Sequence, residues 1–513
     1  MSAELSNSFY RIAQAQPDRI AIVDPDGSQF TFGELGRRVN QVSRALRACG
    51  LAAGDVVAAV LRNGHEYLEL QLATGQVGMY FVPVNWHQSP AEIGYILRDS
   101  GAKLVVADAE QAKDIPAGAL PVHRFAVGGP VAGWLPFASL GRGEPDDEPD
   151  TRRFGAVMGY TSGTTGNPKG VKGVLPDADP ESVIGGLIGF VAGYGAAPAG
   201  VHLVCSPLYH AAPNGHALGF LHAGHTVVIQ RRFDQESVLR DIERYRVTTS
   251  HMVPTHFHRL LRLPEEVRGR YDLSSLQALI HAGAPCPVTV KQQMLDWVGP
   301  VVWEYLGSTE GSVARVSPQE WIAKPGTVGR PLPGLTVRIL GPDGAQRPSG
   351  EPGMIYFGYP GRTPTFEYHH DPAKTADGRL GDLVTAGDYG YLDEDGYLFL
   401  LDRRTDLIIS GGVNIYPAEI EQHLLTHPSV DDVAVIGVPD PEWGHSVLAV
   451  VQPSAEAAAG DELAASLLAY CGERLASFKR PRRIEFVSDF PRTEAGKVQR
   501  RVLRERFAQA PSG

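Results

Sequence analysis

FGAVMGYTSGTTGNPKGV, residues 154–171, sets the fold class. Its first half is apolar and short, as a buried strand is. It runs directly into Tyr160-Thr161-Ser162-Gly163-Thr164-Thr165-Gly166-Asn167-Pro168-Lys169-Gly170. Glycines let a backbone fold so that several N–H groups face one anion. The hydroxyls of Thr161, Ser162, Thr164 and Thr165 add donors, and Lys169 adds a positive charge. A strand followed by such a turn is how α/β proteins hold a polyphosphate. The usual P-loop spacing is absent, because no Ser or Thr follows the lysine where that pattern needs one.

Toward the N-terminus the pattern continues. Thr31 with Glu34 three positions later forms a capping-box signature, and Leu35, Val39, Val42 and Leu46 then recur at helical spacing over 31–50. DVVAAVL (55–61), a helical stretch at 65–77, YFVPV (80–84), a helix near 90–99 and KLVVAD (103–108) follow. Short β-rich runs alternating with helices predict mostly parallel sheet. Residues 109–150 are rich in Gly, Pro and Asp and read as an exposed crossing. Past the glycine turn, strands are expected at 201–207, 225–230, 248–254, 277–283 and 299–307, with a helix at 235–245. Residues 320–400 read as a β subdomain. The charged run Asp402-Arg403-Arg404-Thr405-Asp406 precedes a tail with its own strands and helices. The expected fold class is α/β, a large N-terminal domain of α/β subdomains plus a β subdomain (1–402), with a small mobile C-terminal α+β domain (403–513).

Composition removes several function classes. The chain has 513 residues, 43% hydrophobic and 20% charged, which suits globular domains rather than disorder. A net charge of −11 argues against nucleic acid as a partner, so any anionic ligand must be met by local groups. Four scattered cysteines make neither a zinc site nor a disulfide framework. Neither a leader nor an apolar run long enough for a membrane span is seen, and the expected location is the cytoplasm.

YTSGTTGNPKGV resembles the signature loop of the adenylate-forming superfamily, which includes acyl- and aryl-CoA synthetases, peptide-synthetase adenylation domains and luciferases. SPLYH (206–210), HAGAPCP (281–287), GSTEG (307–311), the long stretch 386–421 and PRTEAGKVQRR (491–501) match in the same order. The resemblance covers nearly the whole chain and is closest to actinobacterial fatty-acyl-type CoA ligases. It implies ATP (or acyl-AMP), Mg²⁺ and CoA: a carboxylate attacks the α-phosphorus, pyrophosphate leaves, and the CoA thiolate then displaces AMP.

The site residues follow from that resemblance. Lys497 matches the lysine between carboxylate and α-phosphate. Glu310 matches the Mg²⁺ carboxylate, with Thr165 or Thr164 supplying a hydroxyl oxygen. Asp388 and Arg403 match the pair beside the ribose. The nucleotide is expected against Thr161, Ser162, Gly163, Thr164, Thr165, Gly166, Lys169, Gly283, Ala284, Pro285, Glu304, Tyr305, Leu306, Gly307, Ser308 and Thr309. The acyl group is expected among His210, Ala211, Ala212, Asn214, Gly215, Val253, Pro254, His281, Ala282 and Gly283, with His210 also at the CoA tunnel. Small side chains there leave volume, and no acidic group waits for an amine, so a bulky hydrophobic acid is expected: fatty, aromatic or polycyclic, including terpenoid. Asp402 matches the hinge about which the small domain turns, exchanging Lys497 for Gly411-Gly412 between the two steps. A homodimer is compatible with the resemblance.

One position departs from the pattern. The family has an aromatic directly before the glycine of Tyr-Gly-x-Thr-Glu, where this chain has Leu306. Losing a ring stacked on a base weakens binding by about 1–3 kcal/mol. Two alternatives therefore stay open: a variant that only converts supplied acyl-AMP to the thioester, and a non-catalytic acyl-nucleotide binder. A carrier protein could stand in for CoA as the thiol acceptor.

Overall fold

The computed structural model describes residues 8–161, 168–362, 364, 366–403, 406–410, 413–440, 443–492 and 498–507. Two large sheets dominate the N-terminal domain. One is nine-stranded; its parallel centre runs Val302–Ser308, Ala278–His281, Thr249–Met252, Val201–Val204, Thr226–Ile229 and Ile20–Val23, with antiparallel strands at both edges. The other is eight-stranded, with Ala156–Thr161, Tyr80–Pro83, Val56–Val60, Ala102–Asp108 and His123–Val127 parallel in that order. Their parallel strands are mostly buried because helices cover both faces, and some of the buried positions are polar, as in Thr249-Ser250-His251.

The helices Phe32–Ala48, His65–Gln76 and Ala211–His222 fill the space between the sheets. Phe32, Leu35, Val39, Val42 and Leu46 form the buried stripe of the first, at the spacing the sequence predicts. Its capping box is closed: Glu34 N–H donates to Thr31 Oγ1 at 3.1 Å, and Thr31 N–H donates to Glu34 Oε2 at 2.9 Å.

Residues 109–150 differ from expectation. They carry a helix, Ala109–Asp114, and two strands, His123–Val127 and Leu135–Pro136, that extend the eight-stranded sheet. These elements are too short and too interrupted by Gly and Pro to show a period. The peptide after them is tied down by Arg38 and Arg44 of the capped helix, which donate to the carbonyls of Phe137 and Glu148. The β subdomain expected over 320–400 is a six-stranded sheet of strands between 336 and 403, while Phe366–Tyr368 pairs instead with Lys169–Gly173 in the eight-stranded sheet. In the C-terminal domain, Val430–Asp440, Gly444–Pro453 and Arg483–Phe486 make a three-stranded sheet. The helices Pro417–Leu424 and Asp461–Arg474 belong to one of its hydrophobic clusters, and Arg500–Phe507 belongs to another. No helix among the described residues is long and apolar enough to cross a membrane.

Candidate active site

The glycine turn joins two antiparallel strands. Ala156–Thr161 pairs with Lys169–Gly173 so that Thr161 faces Lys169 and Tyr160 faces Gly170. Ser162, Gly163, Thr164, Thr165 and Gly166 lie outside the described residues, and so does any metal ligation by Thr165. Their frame is well defined. Tyr160 Oη donates to Asp99 Oδ2 at 2.7 Å, and Lys169 Nζ donates to Asp371 Oδ2 at 2.8 Å. A Cβ on Gly170 would be crowded, 3.0 Å from the Cβ of His369 and 3.2 Å from the Tyr160 ring.

The second motif meets this frame. Val302–Ser308 turns back into Gly311–Val316, with Ser308 opposite Gly311, so Thr309-Glu310 is the tip of a tight hairpin. That tip lies against the strand feeding the glycine turn: a Cβ on Gly159 would stand 3.2 Å from Thr309 Cγ2. The Glu310 N–H donates to Ser308 Oγ at 3.3 Å, and Tyr368 Oη donates to Glu310 Oε1 at 2.9 Å. The Lys374 ammonium stands 3.9 Å above the Tyr368 ring, and burial lowers its pKa, with Lys169 adding to the effect. Two lysines and two carboxylates thus surround one region. A carboxylate oxygen is the hard donor that Mg²⁺ takes, and Glu310 supplies one; the turn hydroxyls expected to join it lie outside the described residues. Tyr368, Asp371 and Lys374 were missed in the sequence, where only the helix signal Asp371-Pro372 marks the segment.

Asp388 is buried, and its backbone pairs with Arg403 across the hairpin Asp388–Leu392/Leu398–Arg403. Asp402 lies in the same ladder opposite Tyr389. Leu306 is buried in a cluster with Val313, Ala314 and Phe357, so it serves mainly as core.

Beyond the hairpin lies a ring-lined wall. His210 caps the helix Ala211–His222 by backbone, and its ring stands 4.5 Å from Tyr209. Ala211 is exposed, and Ala212 and Gly215 are half-buried on that helix. Val253 and Pro254 begin the helix Pro254–Leu261, and Ala282 is buried after strand Ala278–His281, followed by exposed Gly283 and Pro285 with half-buried Ala284 between them. Phe190, His216, His251 and Tyr305 form the ring cluster, with His216 5.3 Å from Tyr305 and Phe190 5.9 Å from it. Phe190, His216 and His251 are absent from the sequence reading, because isolated rings on separate elements carry no motif.

Three expected lining side chains are placed elsewhere. Asn214 is consumed in a buried network, donating to Tyr67 Oη at 2.9 Å and accepting from Gln71 Nε2 at 2.8 Å. His281 and Glu304 point to the other face of the sheet, since neighbours along a strand alternate sides. His281 packs edge-on against Phe257, its Nε2 3.4 Å from Glu304 Oε2. Glu304 in turn pairs with fully buried Lys291 at 2.7 Å, and burial raises its pKa while Lys291 opposes.

Lys497, Gly411 and Gly412 lie outside the described residues, and so do the side chains of Thr161, Asp402 and Arg403. Arg492 and Val498, on either side of the segment that holds Lys497, are described. Arg492 pairs with Val498, and Arg492 Nη1 reaches Thr255 Oγ1, next to Pro254, at 3.5 Å. Arg492 also pairs with Asp432, and Arg262 with Asp431. The base of the Lys497 segment is therefore docked on the helix that begins at the expected acyl site.

Comparison with known proteins agrees with this geometry. The AMP-binding enzyme family matches residues 9–366, and its C-terminal domain matches residues 419–497. A feruloyl-CoA synthase of an Amycolatopsis species is 36% identical, covering 97% of this chain and 98% of its own. A long-chain-fatty-acid–CoA ligase of Mycobacterium tuberculosis is 30% identical, covering 97% of both chains. The crystal structure of ATP-bound MatB from Rhodopseudomonas palustris superposes with a TM-score of 0.85 at 30% identity, covering 98% of this chain and 99% of that one. The chain belongs to the AMP-binding enzyme family and is an AMP-forming acid–thiol ligase of the adenylate-forming superfamily.

Proposed function

We propose that this acyl-CoA ligase activates a bulky hydrophobic acid with an aromatic body, and that the wall of Phe190, His216 and Tyr305 receives it. The supporting observation is the set of rings clustered around Tyr305, on the strand that leads to the Thr309-Glu310 turn. The relatives named for feruloyl and long-chain fatty acids bracket that size range.

In this reading the carboxylate oxygen attacks the α-phosphorus and the bond to pyrophosphate breaks. Lys497 and Lys169 offset the negative charge gathered there. Glu310, held by Tyr368, would hold Mg²⁺, and the ion supplies charge neutralisation when bound. Asp388 takes the ribose hydroxyls. The C-terminal domain, 403–513, then turns about Asp402 and brings Gly411-Gly412 to the site. The CoA thiolate attacks the acyl carbon and the bond to AMP breaks. The binder and the acyl-AMP-only readings receive no support: the relatives are named as ligases, and Leu306 is core.

The test is a panel of aromatic, fatty and polycyclic acids with ATP, Mg²⁺ and CoA, scored for acyl-CoA by mass. Aromatic acids are expected to give the highest kcat/KM. Short or amine-bearing acids outrunning every aromatic acid would overturn the substrate class.

A further inference from the structure

His251 is the central ring of the buried wall and the one whose polar atoms are not accounted for. It is 2% exposed, and neither ring nitrogen has a hydrogen-bond partner among the described residues. Three of the nearby buried histidines are hydrogen-bonded through at least one ring nitrogen. His202 Nδ1 is 2.9 Å from Thr249 Oγ1. His216 Nδ1 donates to the Ala212 carbonyl at 2.8 Å, leaving its Nε2 toward Tyr194 Oη at 3.4 Å. His222 Nδ1 accepts from the Phe9 N–H at 3.2 Å, whereas His281, on the other face of the sheet, leaves both nitrogens without a hydrogen bond among the described residues and faces the Glu304 carboxylate. A buried polar group without a partner is costly, so native interiors rarely keep one.

Burial holds His251 neutral, with its pKa well below the ordinary histidine value and the neighbouring histidines His216 and His202 acting in the same direction. A neutral imidazole offers one donor and one acceptor. A hydroxyl group can answer either one, whichever tautomer is present, whereas a carboxylate or an ammonium would answer only one of them and bring an unpaired charge into the core. The location is also where a ligand belongs. His251 lies at the carboxyl end of the parallel strand Thr249–Met252, two residues before Val253, and ligands of open α/β sheets bind beyond such ends. Its ring is 4.7 Å from His216 and 6.1 Å from Tyr305, so the approach is lined by ring faces and edges.

We propose that His251 is a specificity-determining residue at the deep end of the acyl site, and that it selects aryl acids bearing a hydroxyl remote from the carboxylate. This rests on the aromatic-acid reading above. The hydroxyl takes the bond that the protein leaves unmade, and an acid lacking it leaves the imidazole unanswered.

The experiment compares matched pairs: 4-hydroxycinnamate with cinnamate, and 6-hydroxy-2-naphthoate with 2-naphthoate. Each is assayed for acyl-CoA with ATP, Mg²⁺ and CoA, in the wild type and in His251→Leu. The quantity read is the ratio of kcat/KM within a pair. The wild type is expected to favour the hydroxy acid by about 10-fold or more in at least one pair, mostly through KM. In His251→Leu that ratio is expected to fall to near one or invert. A wild-type ratio near one in both pairs overturns the proposal, and so does a ratio that survives the leucine. If His251→Leu is inactive on all four acids, His251→Asn decides, because it keeps a donor and an acceptor: a retained preference supports the proposal and a lost one overturns it. Failure of the wild type on every acid would instead strike the aromatic-acid reading, which the wider panel tests separately.

Discussion

Glu69 shows what burial does to a single carboxyl group. It sits in the helix His65–Gln76, buried, with Arg38 Nε 3.0 Å away. Burial pushes its pKa up to about 7, and Arg38 only partly opposes. The folded protein therefore keeps a proton that the unfolded chain has already lost above the ordinary carboxyl range. The stabilisation is full below that range and declines as pH rises toward 7, by on the order of 3 kcal/mol in all. Glu69→Gln is expected to flatten this decline, so that the variant's Tm, compared with wild type, improves between pH 5 and pH 8. Thermal melts across that range check it, and parallel curves would contradict it. Single residues were also where sequence reading was weakest. His281 stands inside a matching motif and Glu304 just before one, yet strand alternation turns both toward Lys291, and a motif does not reveal which face a strand buries. Tyr368 reaches Glu310 across 58 residues and Asp371 reaches Lys169 across 202, and no local pattern encodes such pairings.

At the scale of elements the sequence was far more legible. The helix Phe32–Ala48 was visible because its cap and its apolar stripe agree, and Gln235–Tyr245 because its apolar positions recur regularly. The segment 109–150 was not, since its strands are too short to alternate. The contact between the helix Pro254–Leu261 and the start of strand Val430–Asp440 was equally invisible, being made of charges that read singly as solvated surface. There Arg262 meets buried Asp431, with His258 Nε2 3.7 Å from the same carboxylate, and Arg492 meets Asp432. These pairs hold the base of the Lys497 segment near the expected acyl site. Partly exposed pairs contribute up to about 1 kcal/mol each, so Arg262→Ala is expected to slow acid-dependent pyrophosphate exchange by a few-fold. Conversion of supplied acyl-AMP to acyl-CoA should stay near the wild-type rate. Equal loss in both assays would show that the pair serves stability alone.

For the whole molecule, α/β alternation announced the sheet type, and the ordered motifs announced the family. The order of nine and eight strands did not follow, because strand order is fixed by long-range packing rather than by period. That packing brings the glycine-turn frame, the Thr309-Glu310 tip and the ring wall to one place, and docks Arg492, at the base of the Lys497 segment, against the helix Pro254–Leu261. The claim that rests on this arrangement is that one site performs two reactions, with Lys497 needed for only the first. The most direct measurement sets Lys497→Ala beside wild type in both half-reactions: acid-dependent pyrophosphate exchange, and thioester formation from synthetic acyl-AMP and CoA. Exchange is expected to fall by about 100-fold or more, with thioester formation within a few-fold of wild type. Exchange that persists in the alanine variant, or loss of both half-reactions in a variant that melts like wild type, would contradict it.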